Sequence, residues 1–249
     1  DAGDDSVTVA IAPTVTVAAA PDDPVIANSD NTGAVTEAVA DTTDTAADTL
    51  VVTDADGETV TWSCTNCADA GDTQTLTGTY GSWVLTEATG AWAYTLNNAD
   101  SDTDQLDAGD SVPDALTAVA TDSSGATDSI TVTVTVTGAN DAPTTSTPST
   151  QSGTEDTVFT GYTVSDFPFA DVDDADSALT SITITVLESS GTLTKSTNGA
   201  DWTDVSANDV ILSAHITHLK LLPASNSIAD VTFTYTVQDG ATSSGAAVM

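Results

Sequence analysis

Positive charge is almost missing from this chain: Lys195 and Lys220 stand against 38 acidic residues, and the formal net charge is −36. Nucleic acid is thereby excluded as a partner, because nothing is available to neutralise phosphates. Aromatic residues are sparse at 5 %, and there are only two cysteines. No apolar run approaches the roughly 18 residues of a membrane helix. The residue patterns that activate a nucleophile, a catalytic zinc or a phosphate loop (GxSxG, HExxH, a Gly-rich turn) are absent as well. Paired carboxylates could in principle cut glycosides, yet in a chain this acidic any pair arises by chance, so no enzyme is expected. The chain opens at Asp1 without a Met-led signal, as a processed product or an excised piece would.

What is present is β-forming. Hydrophobic residues make up 39 % of 249 positions, enough for two modest cores. Thr and Val recur where helix formers would be needed, so the expected fold class is all-β. The acids gather in turns and leave the strands nearly free of them, which argues against disorder. The stretch Thr121 to Pro143 shows the pattern most plainly. An acidic turn leads into Ile130-Thr-Val-Thr-Val-Thr-Val136, then Gly138, then Asn140-Asp141-Ala142-Pro143. Alternation of β-branched apolar and hydroxyl residues is the period of a strand with one buried and one wet face.

This seam divides the chain. Residues 1–20 carry DSVTVAIAPTVTVAAA, which repeats the DSITVTVTVTGA of the seam, with Pro13 as an interruption. No domain body precedes that segment, so it reads as an orphan strand. Residues 21–142 show turn signals every 8–12 positions, the rhythm of a β-sandwich. Thr49 to Val52 is expected as a short strand. Trp83, Leu85, Trp92, Tyr94 and Leu96 are expected on the core side of a hairpin turning at Glu87–Gly90. Residues 143–249 form a second sandwich, in which Val237-Gln-Asp239 matches Ala120-Thr-Asp122. Against the long final strand of the first, the second lacks most of its last strand.

The run GTYGSWVLTEATGAWAYTLNN, then QLDAGDSV and VATDSSGATDSITVTVTVTGANDAP, resembles a VCBS-type repeat of bacterial RTX-type surface adhesins. Residues 144–249 resemble the cadherin-like, Ig-like modules of the same proteins. The matching marks are Gly153-Thr-Glu155-Asp156-Thr157, Asp166-Phe-Pro-Phe-Ala-Asp171-Val-Asp173, Leu179 to Val186 and Phe233 to Asp239. The resemblance implies tandem Ig-like sandwiches, secretion to the cell surface, Ca²⁺ at the junctions, and a role in adhesion or biofilm matrix.

Two sets of acids recur in parallel order. Asp22, Asp23, Asp54, Asp56 and Asp122 surround the first linker; Asn140, Asp141, Asp171, Asp173 and Asp239 surround the second. In a cadherin-like sandwich each set converges at one pole. Glu37 and Glu155 fall at the opposite poles, so Glu37 joins the second set. Two carboxylates about 6 Å apart repel by roughly 0.7 kcal/mol even in water. Five clustered acids make about ten such pairs, or about 7 kcal/mol, comparable to the stability of a domain. Such a cluster calls for a cation, and oxygen-only ligands of variable geometry select Ca²⁺ over Zn²⁺ or Mg²⁺. Solvated turn caps are the bland alternative.

Other signals are weaker. The acids at Asp100, Asp102, Asp104, Asp107 and Asp110 lack the Gly and closing Glu of an EF-hand, and are expected as an acidic surface loop. Cys64 and Cys67 form a CxxC without a helix start, which in an oxidising exterior reads as a local disulfide. His215 and His218 have no third ligand in register and are expected as surface residues. The chain is thus expected to be a calcium-stiffened segment of an extracellular fibre or adhesin. Copies of itself are the expected partners: strand 5–20 of one chain completes residues 143–249 of the preceding one by donated-strand pairing. A slice of a longer tandem protein accounts for the same pattern. A module that binds carbohydrate or another surface, with matrix glycans as partners, is the alternative.

Overall fold

The fold is described from a computed structural model, which covers residues 20–37, 44–173 and 178–249. The expected orphan strand over residues 1–20 therefore lies outside the described residues, except for residue 20. The first half of the chain forms β1 (Val25–Ile26), β2 (Thr32–Thr36), β3 (Thr45–Thr49), β4 (Val52–Thr53), β5 (Thr61–Cys64), β6 (Ala68–Asp69), β7 (Thr73–Thr77), β8 (Gly81–Thr86) and β9 (Ala91–Leu96). A single helical turn, α1 (Ser101–Asp104), precedes β10 (Ser111–Thr121) and β11 (Thr127–Thr137). The second half forms β12 (Ser181–Val186), β13 (Thr192–Lys195), β14 (Thr203–Asp204), β15 (Asp209–Leu212), β16 (Leu219–Leu222), β17 (Thr234–Gln238) and β18 (Ala247–Val248). The fold is all-β, built as tandem β-sandwiches with separate cores.

In the first half, a sheet ordered β2-β11-β10-β5 faces a sheet ordered β3-β9-β8-β7-β6. Their inward positions supply one core of Val35, Leu50, Trp62, Trp83, Leu85, Trp92, Tyr94, Leu96, Leu116 and the alternating Val132, Val134 and Val136. The β8–β9 hairpin sets Trp83 opposite Tyr94 and Leu85 opposite Trp92. Trp83 and Tyr94 meet edge-on at 4.7 Å between ring centroids. The outward Thr131, Thr133, Thr135 and Thr137 of β11 form the wet face that alternation implies. The expected single strand at Thr49–Val52 is instead split between sheets. β3 pairs with β9 and β4 with β1, while the Leu50 N–H donates to Gly90 O at 3.0 Å.

The second half has its own core of Tyr162, Phe167, Ile182, Ile184, Leu193, Ile211, Ile216, Leu219, Phe233, Tyr235 and Val237. It lies between sheets ordered β15-β12-β17-β18 and β14-β13-β16. β18 itself is two residues long, but the return path is longer. Ser244 N–H donates to Val237 O, and Met249 exchanges hydrogen bonds with Phe233, so residues 243–249 run back along β17. His215 and His218 sit half-buried on a 3-10 turn, Ser213–His218, with their rings stacked at 6.2 Å. Cys64 and Cys67 are joined as a disulfide at the end of β5.

Candidate metal centres

The first carboxylate group stands at the pole where β10 turns into β11. Asp122 caps that turn: its Oδ1 accepts hydrogen bonds from Ser124 Oγ, Gly125 N and Ala126 N at 2.8–2.9 Å. Burial pushes the Asp122 carboxyl up, but these bonds outweigh it and hold the group below its ordinary range. Asp54, just after β4, turns its own loop in the same way, accepting from Asp56 N and Glu58 N. Each carboxylate therefore spends one oxygen on the backbone. The second oxygens of these two, Asp54 Oδ2 and Asp122 Oδ2, are buried without a hydrogen-bond partner, and so is Glu58 Oε2. Asp54, Glu58 and Asp122 offer carboxylate oxygens that lie within 4.8 Å of one another.

Of the residues expected here, Asp54 and Asp122 come together. Asp22 is tied to Asp56, its N–H donating to Asp56 Oδ2 at 2.7 Å. Asp22, Asp23 and Asp56 are exposed and lie outside the close trio. Glu58 takes the third place. Its position two residues after Asp56, at the close of the Gly57 turn, was the available signal.

The second group lies where the two halves meet. Glu37 follows β2 and is only 5 % exposed; one of its oxygens accepts from Ala139 N at 3.0 Å. Asp141 N donates to Asp173 Oδ2 at 2.8 Å. Asn140 Nδ2 donates to Asp239 Oδ2 and Thr242 Oγ1, and also contacts Asp141 O. Asp239 caps the turn after β17 by accepting from Ala241 N and Thr242 N, as Asp122 does after β10. Burial raises the Asp239 carboxyl, and these bonds more than reverse that. Glu37, Asp104 and Asp141 offer oxygens within 4.8 Å of one another.

Among the described residues no cationic side chain pairs with this group. Burial pushes Glu37 up to about 7, reinforced by Asp141, Asp173 and Asp104, against the opposing bond from Ala139. Asp173, 1 % exposed, is pushed up to about 6 by burial and then by Asp141, Asp171 and Asp107. Asp141 is raised by burial, Asp104 and Asp171. Asp173 Oδ1 is buried without a hydrogen-bond partner. Among the described residues the one ion pair, Lys195 to Asp209 at 2.7 Å, is elsewhere, between β13 and β15.

The acids of 100–110 depart from the expected surface loop. Asp104, in the last position of α1, joins Glu37 and Asp141, and Asp107 acts electrostatically on Asp173. The physical reason is Gly138. A Cβ there would lie 2.5 Å from Asp107 O and 2.6 Å from Leu106 Cβ, so only glycine lets this loop rest against the end of β11. Glu155, by contrast, is exposed in the turn at residues 154–157 and belongs to neither close trio.

Both groups consist of oxygen ligands alone, and the only cysteine sulfurs are tied to each other. Such a donor set suits a hard divalent cation held by several carboxylates, with backbone or amide oxygens completing it. Three carboxylates within 4.8 Å repel by between about 1 and 3 kcal/mol per pair, depending on local screening. A cation of charge +2 removes that repulsion and satisfies the buried oxygens together.

No family model matches the chain, and no curated protein matches it. Among solved structures, the chain is similar to mouse cadherin-23 EC22-24, at 14 % identity over 91 % of this chain and 65 % of that one, with a TM-score of 0.46. It is similar to the protocadherin gammaB7 EC3-6 cis-dimer structure at 15 % identity and a TM-score of 0.46, over 91 % of this chain and 51 % of that one. An endo-fucoidan hydrolase of glycoside hydrolase family 107 aligns over 90 % of this chain and 28 % of its own, with 15 % identity and a TM-score of 0.30. The chain thus spans less than two thirds of the length of these proteins.

Proposed function

We propose that this chain is a structural segment of an extracellular fibre or adhesin, stiffened by Ca²⁺ at its junctions, and not an enzyme. The observation that carries the reading is the inter-sandwich group. Glu37, Asp104 and Asp141 come within 4.8 Å, beside a buried Asp173, with residues from both halves of the chain. Without a cation these side chains repel across the joint and favour its opening. With Ca²⁺ they tie β2, the α1 loop, the 139–141 linker and the 171–173 loop to a common centre, so the two sandwiches move as one. The Asp54, Glu58 and Asp122 group would do the same at the other pole, toward whatever precedes residue 20. In a chain of net charge −36, divalent ions also screen the repulsion between neighbouring rods. Adhesion and matrix building are the roles such a rod supports, and copies joining head to tail through the segment 5–20 would lengthen it.

Calorimetry of the full chain in excess chelator and in millimolar Ca²⁺ tests the reading. A site filled at 100 times its dissociation constant adds about 2.7 kcal/mol. For sandwiches of this size that is a rise on the order of 10 °C in melting temperature. Identical melting curves in the two conditions would overturn it.

A further inference from the structure

Both lysines and both histidines of the chain fall between Lys195 and Lys220, in one sheet of the second sandwich and the turn that enters it. In that sheet Thr194 of β13 is flanked by Lys220 of β16 on one side and by Asp204 of β14 on the other. Neighbouring Leu219 is fully buried, so alternation places Thr194, Lys220 and Asp204 on the outer face. Despite the surrounding acids, Lys220 forms no ion pair among the described residues. Its ammonium lies instead 3.4 Å from the ring centroid of Trp202. Trp202 is set apart as well. Trp62, Trp83 and Trp92 are buried in the first core, whereas Trp202 is half-buried and belongs to neither core.

The rest of the face is ordered around this indole. His218 stands edge-on to Trp202, with 6.5 Å between ring centroids, and is stacked in turn with His215. His218 Nδ1 is buried without a hydrogen-bond partner, while Nε2 lies beside exposed Gly199. A Cβ at Gly199 would stand 3.3 Å from that nitrogen, and the φ of +74° disfavours a side chain there too. The loop carrying Gly199 is fixed by its own bonds. Ser196 Oγ accepts from Gly199 N, and Asn198 Oδ1 accepts from Ala200 N and Asp201 N.

We propose that this outer face is a saccharide-binding site, and that its ligand is a neutral glycan chain. The inference rests on the adhesive role proposed above and supplies its ligand class; it does not depend on calcium. The flat apolar face of an indole matches the C–H face of a pyranose ring. Sugar hydroxyls both donate and accept, and Lys220 offers donors where Asp204 offers acceptors, on either side of Thr194. In the free protein Lys220 rests on the indole, a contact that is weak where water reaches it. Hydroxyls that take up the ammonium therefore uncover the ring for stacking. Charge decides against an acidic polymer. Asp201 and Asp204 are exposed beside the unpaired lysine, and a chain of net charge −36 repels polyanions as a whole. A neutral glycan meets no such barrier.

Isothermal titration of the full chain, paired with acrylamide quenching of its tryptophan fluorescence, tests this. The neutral probes are dextran, laminarin, galactomannan and cellohexaose; alginate is the acidic one. The expected result is that a neutral probe binds and shields the accessible indole from acrylamide. Trp202→Ala should weaken that binding at least about tenfold. Lys220→Met keeps the apolar stem and removes the donors; it should weaken binding several-fold, and it decides the matter where Trp202→Ala does not fold. Absence of binding by every neutral probe at millimolar concentration overturns the inference. So does binding confined to alginate, or affinity that survives both substitutions. The calcium increment in melting temperature, read on the same samples, reports separately on the stiffened rod. Its persistence without sugar binding sinks the saccharide site alone; its absence beside sugar binding sinks the calcium reading alone.

Discussion

Glu37 carries the greatest electrostatic strain at the junction, and its behaviour separates the metal-free from the calcium-loaded state. Its carboxyl, ordinarily near 4.5, is pushed up to about 7 by burial and by Asp141, Asp173 and Asp104, and Asp173 is pushed up to about 6. Groups raised in the folded state contribute full stability below their unfolded values, and lose it as pH rises through the folded ones. Metal-free protein should therefore melt several degrees higher at pH 5 than at pH 8, with the change centred between about 6 and 7. In calcium the difference should shrink or reverse, because protons compete with the ion for the same oxygens. Glu37→Gln should raise the melting temperature in chelator and remove more than half of the calcium increment. Asp104→Asn should also reduce the increment, whereas Asp102→Asn, on the exposed side of α1, should leave both readings within about 1 °C. Most of the junction residues could be named from sequence because DxD, linker and late Asp repeat in order. Glu58 was marked only by its place just after the Gly57 turn, and Asp104 not at all, since its position depends on how the α1 loop folds back and no spacing rule encodes that.

At the scale of elements, the β8–β9 hairpin and the β10–β11 pair were legible because strict alternation leaves one register that buries every large side chain. Trp83, Leu85 and Tyr94 are fully buried, and Trp83→Ala should destabilise the first sandwich by about 3–5 kcal/mol in denaturant unfolding. The division of residues 49–52 between two sheets was not legible. It depends on Gly90, whose φ of +71° and contact with the Trp62 indole let the chain pass closely, and on edge pairing that no local pattern records. Gly138 links fold to site. A Gly138→Ala substitution should push the 104–107 loop outward, lowering stability by about 1–3 kcal/mol. It should also weaken calcium binding at least tenfold by isothermal titration, with module one still folded by circular dichroism. Retained affinity would show that Asp104 does not depend on this close approach.

Over the whole molecule, a net charge of −36 and two groups with buried carboxylate oxygens that lack a hydrogen-bond partner make the metal-free chain self-repelling. Composition alone made the all-β class and the acidic surface plain, since Thr and Val fill the strands and acids fill the turns. The account turns on whether a divalent ion fixes the joint between the two sandwiches. Small-angle X-ray scattering of the full chain, in millimolar Ca²⁺ and then after chelation, tests this most directly. The prediction is a single narrow distance distribution in calcium that broadens and changes maximum dimension when the ion is removed, and recovers when it is restored. Superimposable profiles in the two conditions would contradict it.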